Sequence, residues 1–129
     1  MINFKKTIAA FVFAAVAAAP AFAGNIPSPA GEWQTTTGES RYMIEMCGDG
    51  TDVCATLTWL RDDAKTPENL AYLNKMVVQG KQSTPAMWKG KVIYQGETYD
   101  GRLTMLNSHT MRLAGCKGPA CESLTFTRI

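Results

Sequence analysis

Apolar and polar residues alternate with a period of two through most of this 129-residue chain, which excludes most folds at once. From Met87 to Gln95, Trp88, Gly90, Val92 and Tyr94 share one face while Lys89 and Lys91 share the other. From Thr98 to Leu106, Tyr99, Gly101, Leu103 and Met105 alternate with Asp100, Arg102 and Thr104. Successive side chains of an extended strand point to opposite faces, so this pattern predicts strands with one face buried. Ser40–Cys47 reads likewise, with Tyr42, Ile44 and Met46 opposite Arg41 and Glu45. In Val53–Leu60 the inward set is Val53, Ala55, Leu57 and Trp59. Gly31–Thr35, a short Met76–Val78 strand ending at Gly80, His109–Ala114 and Glu122–Arg128 complete the set. The exception is a polar connection from Arg61 to Asn74, with one helical turn expected over Asn69–Asn74.

About eight strands joined mostly by short turns, with no helical crossover between them, make a sandwich or an up-and-down barrel. The barrel is the favoured architecture: antiparallel, all-β, and closed so that no strand edge is left exposed. Gly90 and Gly101, in strand interiors, fit sharp bends at barrel corners.

The first residues belong to a different physics. Lys5 and Lys6 precede an uncharged apolar run, Ile8–Ala19, which Pro20 breaks before Ala21-Phe22-Ala23 and Gly24. That order is a secretory signal peptide, residues 1–23, cleaved between Ala23 and Gly24. The run is too short for a membrane anchor, since a spanning helix needs about 20 apolar residues. A single domain, 24–129, remains, bound for the periplasm or the exterior of a bacterial cell. Lys5 and Lys6 account for two of the 13 basic residues, so the remaining 11 balance the 11 acidic ones. A balanced chain gives no reason to expect nucleic acid or an anionic membrane surface as partner.

Four cysteines, Cys47, Cys54, Cys116 and Cys121, lie in the exported part. An even count outside the cytoplasm reads as two disulfides, with three connectivities open. The spacing favours local pairs, Cys47–Cys54 and Cys116–Cys121, each flanking a glycine-bearing turn. Closing loops this short contributes about 2–2.5 kcal/mol each in the chain-entropy model. A zinc site would want closer-spaced thiolate pairs in company.

The search for chemistry ends without a catalytic set. His109 is the single histidine, and no Gly-x-Ser-x-Gly elbow accompanies it. Asp62 and Asp63 are adjacent and point apart, and Asp49 and Asp52 lack calcium-loop spacing. No enzyme, metal or cofactor is expected, and the inward face is left as the functional candidate. Tyr42, Ile44, Leu57, Trp59, Trp88, Tyr94, Tyr99, Leu103 and Met105 would line it. They either fill a core or wall a pocket for one small apolar molecule such as a fatty acid, with 61–74 as a lid. The rival is a filled barrel acting on a protein partner through its loops or its Pro-bearing arm, residues 24–30.

Several landmarks occur in order: Gly31-x-Trp33, Cys54-Ala55-Thr56-Leu57-Thr58-Trp59-Leu60, Trp88-Lys89-Gly90-Lys91-Val92-Ile93-Tyr94 and Gly96-x-x-Tyr99-x-Gly101-x-Leu103. Leu113-x-Gly115-Cys116, Cys121 and Phe126-Thr127-Arg128 follow. Together they resemble an exported bacterial family, the domain of unknown function 2147. The resemblance implies a lipocalin-like (calycin) barrel and a role toward apolar ligands. The chain departs from the family at Ala55, where Gly is usual, at Phe126, where Trp is usual, and in lacking an Asn-Pro pair within 62–74. In a closed barrel the first and last strands are neighbours, so Arg128 is expected to cover the Trp33 indole, a pairing lipocalin-like proteins share.

Overall fold

The computed structural model describes residues 26–129, so the expected signal peptide and the expected cleavage between Ala23 and Gly24 lie outside the described residues. Eight strands run in order: β1 (Gly31–Thr35), β2 (Ser40–Cys47), β3 (Asp52–Leu60), β4 (Met76–Thr84), β5 (Met87–Tyr94), β6 (Glu97–Met105), β7 (Thr110–Lys117) and β8 (Ala120–Arg128). Each pairs antiparallel with the next, and β8 returns to β1, closing an up-and-down barrel. The core lies inside it, built from Trp33, Ile44, Val53, Leu57, Trp88, Val92, Leu103, Met105 and Phe126 among others. The two local disulfides are as expected, Cys47–Cys54 across the β2–β3 hairpin and Cys116–Cys121 across β7–β8.

One cross-strand row explains how so short a sheet closes. Gly80 faces Gly90, Gly90 faces Gly101, and Gly101 faces Gly115, placing four glycines side by side on β4–β7. A Cβ on Gly90 would lie 2.7 Å from the Gly80 Cα, and one on Gly101 would overlap the Val92 Cγ2. The neighbouring backbone and the Val92 side chain occupy the space where side chains would stand, so the wall folds tightly here.

Two expectations need correction. β4 runs past Gly80 to Thr84, because its pairing with β5 continues through Gln82 opposite Trp88. The helical turn comes earlier than Asn69–Asn74. A 3₁₀ turn (Asp62–Ala64) is followed by α1 (Pro67–Leu70), which begins where Thr66 caps it through Oγ1, accepting from the Asn69 N–H, with Pro67 at its first position.

Candidate functional site: a tyrosine-walled barrel mouth

The barrel has two unlike ends. The chain's lead-in, residues 26–30, lies at one of them with the β2–β3, β4–β5 and β6–β7 turns, and that end is plugged. Trp33 is fully buried, its Nε1 donating to the Pro29 carbonyl at 2.8 Å. Arg128 stacks on its ring at 4.4 Å and donates to the carbonyls of Ser28, Ala30 and Ser108. Through these bonds Arg128 also pins the lead-in in place. Trp88 closes the same end from β5, its Nε1 donating to Thr51 O at 2.8 Å.

The β1–β2, β5–β6 and β7–β8 turns and the 61–75 connection form the opposite end. Connection and barrel are tied by Asn74 N–H to Leu57 O, Leu57 N–H to Lys75 O, and Arg61 to both Asp63 and Thr37 O. Three small cavities adjoin beneath. One, about 20 Å³, is lined by Tyr42, Ile44, Val92, Tyr94, Leu103 and Phe126 with other apolar groups. A second, about 30 Å³, opens between Tyr94, Tyr99, Leu113 and Glu122. The third, about 40 Å³, lies under the connection, bounded by Glu39, Tyr42, Leu57, Asn69, Tyr72 and Tyr94. Tyr94 lines all three.

Of the nine residues read from sequence as pocket-lining, Tyr42, Ile44, Leu57, Tyr94, Tyr99 and Leu103 come together around these cavities. Trp88 and Met105 are buried in the barrel but line none of the three. Trp59 faces outward, 38% exposed, with Arg41 stacked 4.5 Å from its ring. A bulge causes this reversal: Arg41 pairs with Trp59 and Tyr42 with Leu57, leaving Thr58 as an extra residue. Thr58 bonds through Oγ1 to the Arg41 carbonyl, the alternation slips by one, and Leu60 turns inward instead of Trp59.

Sequence reasoning overlooked Glu39, Tyr72 and Glu122 at the mouth. Glu122 stands two residues before Leu124 on β8, so period two already pointed it to the interior side. Glu39 and Tyr72 sit in turn and connection, where no periodicity operates. Burial pushes the Tyr42 hydroxyl up, partly offset by its hydrogen bond with Ser40, 3.1 Å away. Tyr94 is pushed up by burial first, then by the nearby Glu39 and Glu122 carboxylates.

Charge is sorted although the chain is balanced. On the outer wall Lys81 faces Lys89 and Lys89 faces Arg102, a cross-strand row of like charges. At the mouth, Asp62, Asp63 and Glu97 are paired with Lys65, Arg61 and Lys117, whereas Glu39 and Glu122 make no ion pair among the described residues. His109 is exposed at the head of β7, and no group of three or more His, Cys, Asp or Glu gathers among the described residues.

An eight-stranded closed antiparallel barrel plugged at one end and cavitated at the other is a lipocalin-like barrel. The chain belongs to the bacterial family described as uncharacterized protein conserved in bacteria, domain of unknown function 2147, whose model matches residues 31–128. Among solved structures it is similar to protein HP1028 from Helicobacter pylori, described as belonging to the lipocalin family. The TM-score is 0.60 at 16% identity, covering 81% of this chain and 84% of that one. A redesigned β-barrel matches at a TM-score of 0.49 and 10% identity, over 78% of this chain and 90% of that one. At 16% identity the likeness to the Helicobacter pylori protein speaks to the fold alone. No curated protein matches the chain.

Proposed function

We propose that this chain is an exported, non-catalytic binding protein that admits one slender apolar chain through the tyrosine-walled mouth. The shared wall of the three cavities carries the reading. Tyr94 is half-buried and lines all three, so on this reading rotation of its ring would open them toward one another, from the mouth to the apolar interior. Each void alone has room for a few water-sized groups, and a hydrocarbon enters only as that ring swings aside. Burial of the hydrocarbon drives binding at about 25 cal/mol per Å² removed from water. Export rests on the Lys5–Gly24 leader and on the two disulfides, which persist in oxidising compartments.

Native mass spectrometry of protein recovered from the periplasm, followed by titration with lipids of increasing chain length, is the direct test. A retained or acquired single ligand, weakened when Tyr94 is replaced by Trp to block the channel, is the expected outcome. A barrel that stays empty throughout would refute the reading.

The smallness of the voids favours a second reading, a filled barrel that docks a protein through its turns. In that case the mouth-blocking variant leaves function intact, while loop exchanges at 36–39 or 61–75 remove it.

A further inference from the structure

We propose that the ligand's head group is a cation, an alkylammonium, rather than the carboxylate of a fatty acid. The inference rests on the binding reading above and gives it a chemical class. The two cavities nearest the rim share one composition. One carries Tyr42, Tyr72 and Tyr94 with Glu39, and the other Tyr94 and Tyr99 with Glu122. Neither lining contains a lysine or an arginine. Phenol rings present a negative face to a cation, and a carboxylate beside them adds a direct charge attraction. An anionic head would instead lie beside a carboxylate exposed at the rim, Glu39 in one cavity or Glu122 in the other.

One of these rings, Tyr99, already faces the protein's own ammonium group. Lys117 Nζ stands 6.0 Å from the Tyr99 ring, and its charge is taken up by Glu97 at 2.8 Å. It does not neutralise Glu122 or Glu39, which make no ion pair among the described residues. Burial first, and then both carboxylates, raise the Tyr94 hydroxyl pKa, as expected for acidic groups near that ring. The unpaired cations Lys89 and Arg102 lie on the outer strand faces, where they do not line these cavities.

Isothermal titration of the mature, disulfide-bonded protein with decyltrimethylammonium, decanol and decanoate, all below micelle-forming concentrations, tests head-group charge at one chain length. The ammonium compound is expected to bind about tenfold or more tightly than decanoate, with decanol between them. Glu39→Gln plus Glu122→Gln should cut that preference several-fold while leaving decanol affinity in place. Raised salt should shrink it in the unaltered protein, which needs no variant to fold. Decanol or decanoate binding as tightly as the ammonium compound would overturn the cationic head and leave the apolar-chain reading standing. No binding of any of the three would remove both.

Discussion

The Arg128 guanidinium lies 4.4 Å over the Trp33 ring, across the seam where the last strand meets the first. The contact joins residues 95 positions apart in sequence and exists only when the barrel is closed. Arg128 also holds the Ser28 and Ala30 carbonyls, so seam, plug and lead-in form one unit. A double-mutant cycle of Trp33→Ala and Arg128→Ala is expected to give a coupling of about 0.5–2 kcal/mol in urea unfolding. Additive losses would show that the pair does not fasten the seam. Because the arm is pinned, deleting residues 24–30 should lower stability measurably. An arm free to engage a partner would leave the unfolding midpoint unchanged.

The glycine row makes its own demand. Gly90→Ala places a methyl group 2.7 Å from the Gly80 Cα, with rigid backbone on the opposing side. Overpacking against backbone cannot be relieved by a rotamer change, so the cost should reach about 3 kcal/mol. Gly118→Ala is the comparison at an open turn, where the space is empty and only the positive φ of 61° is strained. A cost limited to about 1 kcal/mol is expected there. Equal midpoints for the two variants would mean the wall is not creased at Gly90.

Strand identity, strand number, closure and both disulfides were legible because each rests on a local rule: period-two alternation, short turns, even cysteine count. The mouth was only half legible. Tyr42, Tyr94 and Tyr99 follow strand parity, whereas Glu39 and Tyr72 come from segments with no period to read. The error at Trp59 has the same root. Parity holds only while registers match, and a bulge at Thr58 is a tertiary event with no residue signature in Thr56-Leu57-Thr58-Trp59.

The tryptophans turn that correction into a measurement. Trp33 and Trp88 are 0% and 2% exposed, against 38% for Trp59. Iodide should quench one of three emitters, and Trp59→Phe should abolish the quenchable component. Trp88→Ala is expected to cost about 3–5 kcal/mol, and Trp59→Ala no more than about 1 kcal/mol from its lost Arg41 stack. If Trp59→Ala proves as damaging as Trp88→Ala, the indole lies inside and the bulge is misplaced.

Alkaline pH acts on the mouth in a fixed direction. Tyr42 and Tyr94 hold their protons more tightly in the folded barrel than in the unfolded chain, where phenols titrate near 10. A raised folded-state pKa means the stability it confers is complete below that unfolded value and is lost as pH rises through the folded one. Midpoints of urea unfolding should therefore hold to about pH 9.5 and fall above it, with tyrosinate absorbance lagging behind that of free tyrosine. Tyr42→Phe lowers stability at neutral pH, because it deprives the buried Ser40 hydroxyl of its partner, but it should flatten the alkaline fall. An unchanged slope in that variant would show that the Tyr42 hydroxyl titrates as freely in the barrel as in the unfolded chain.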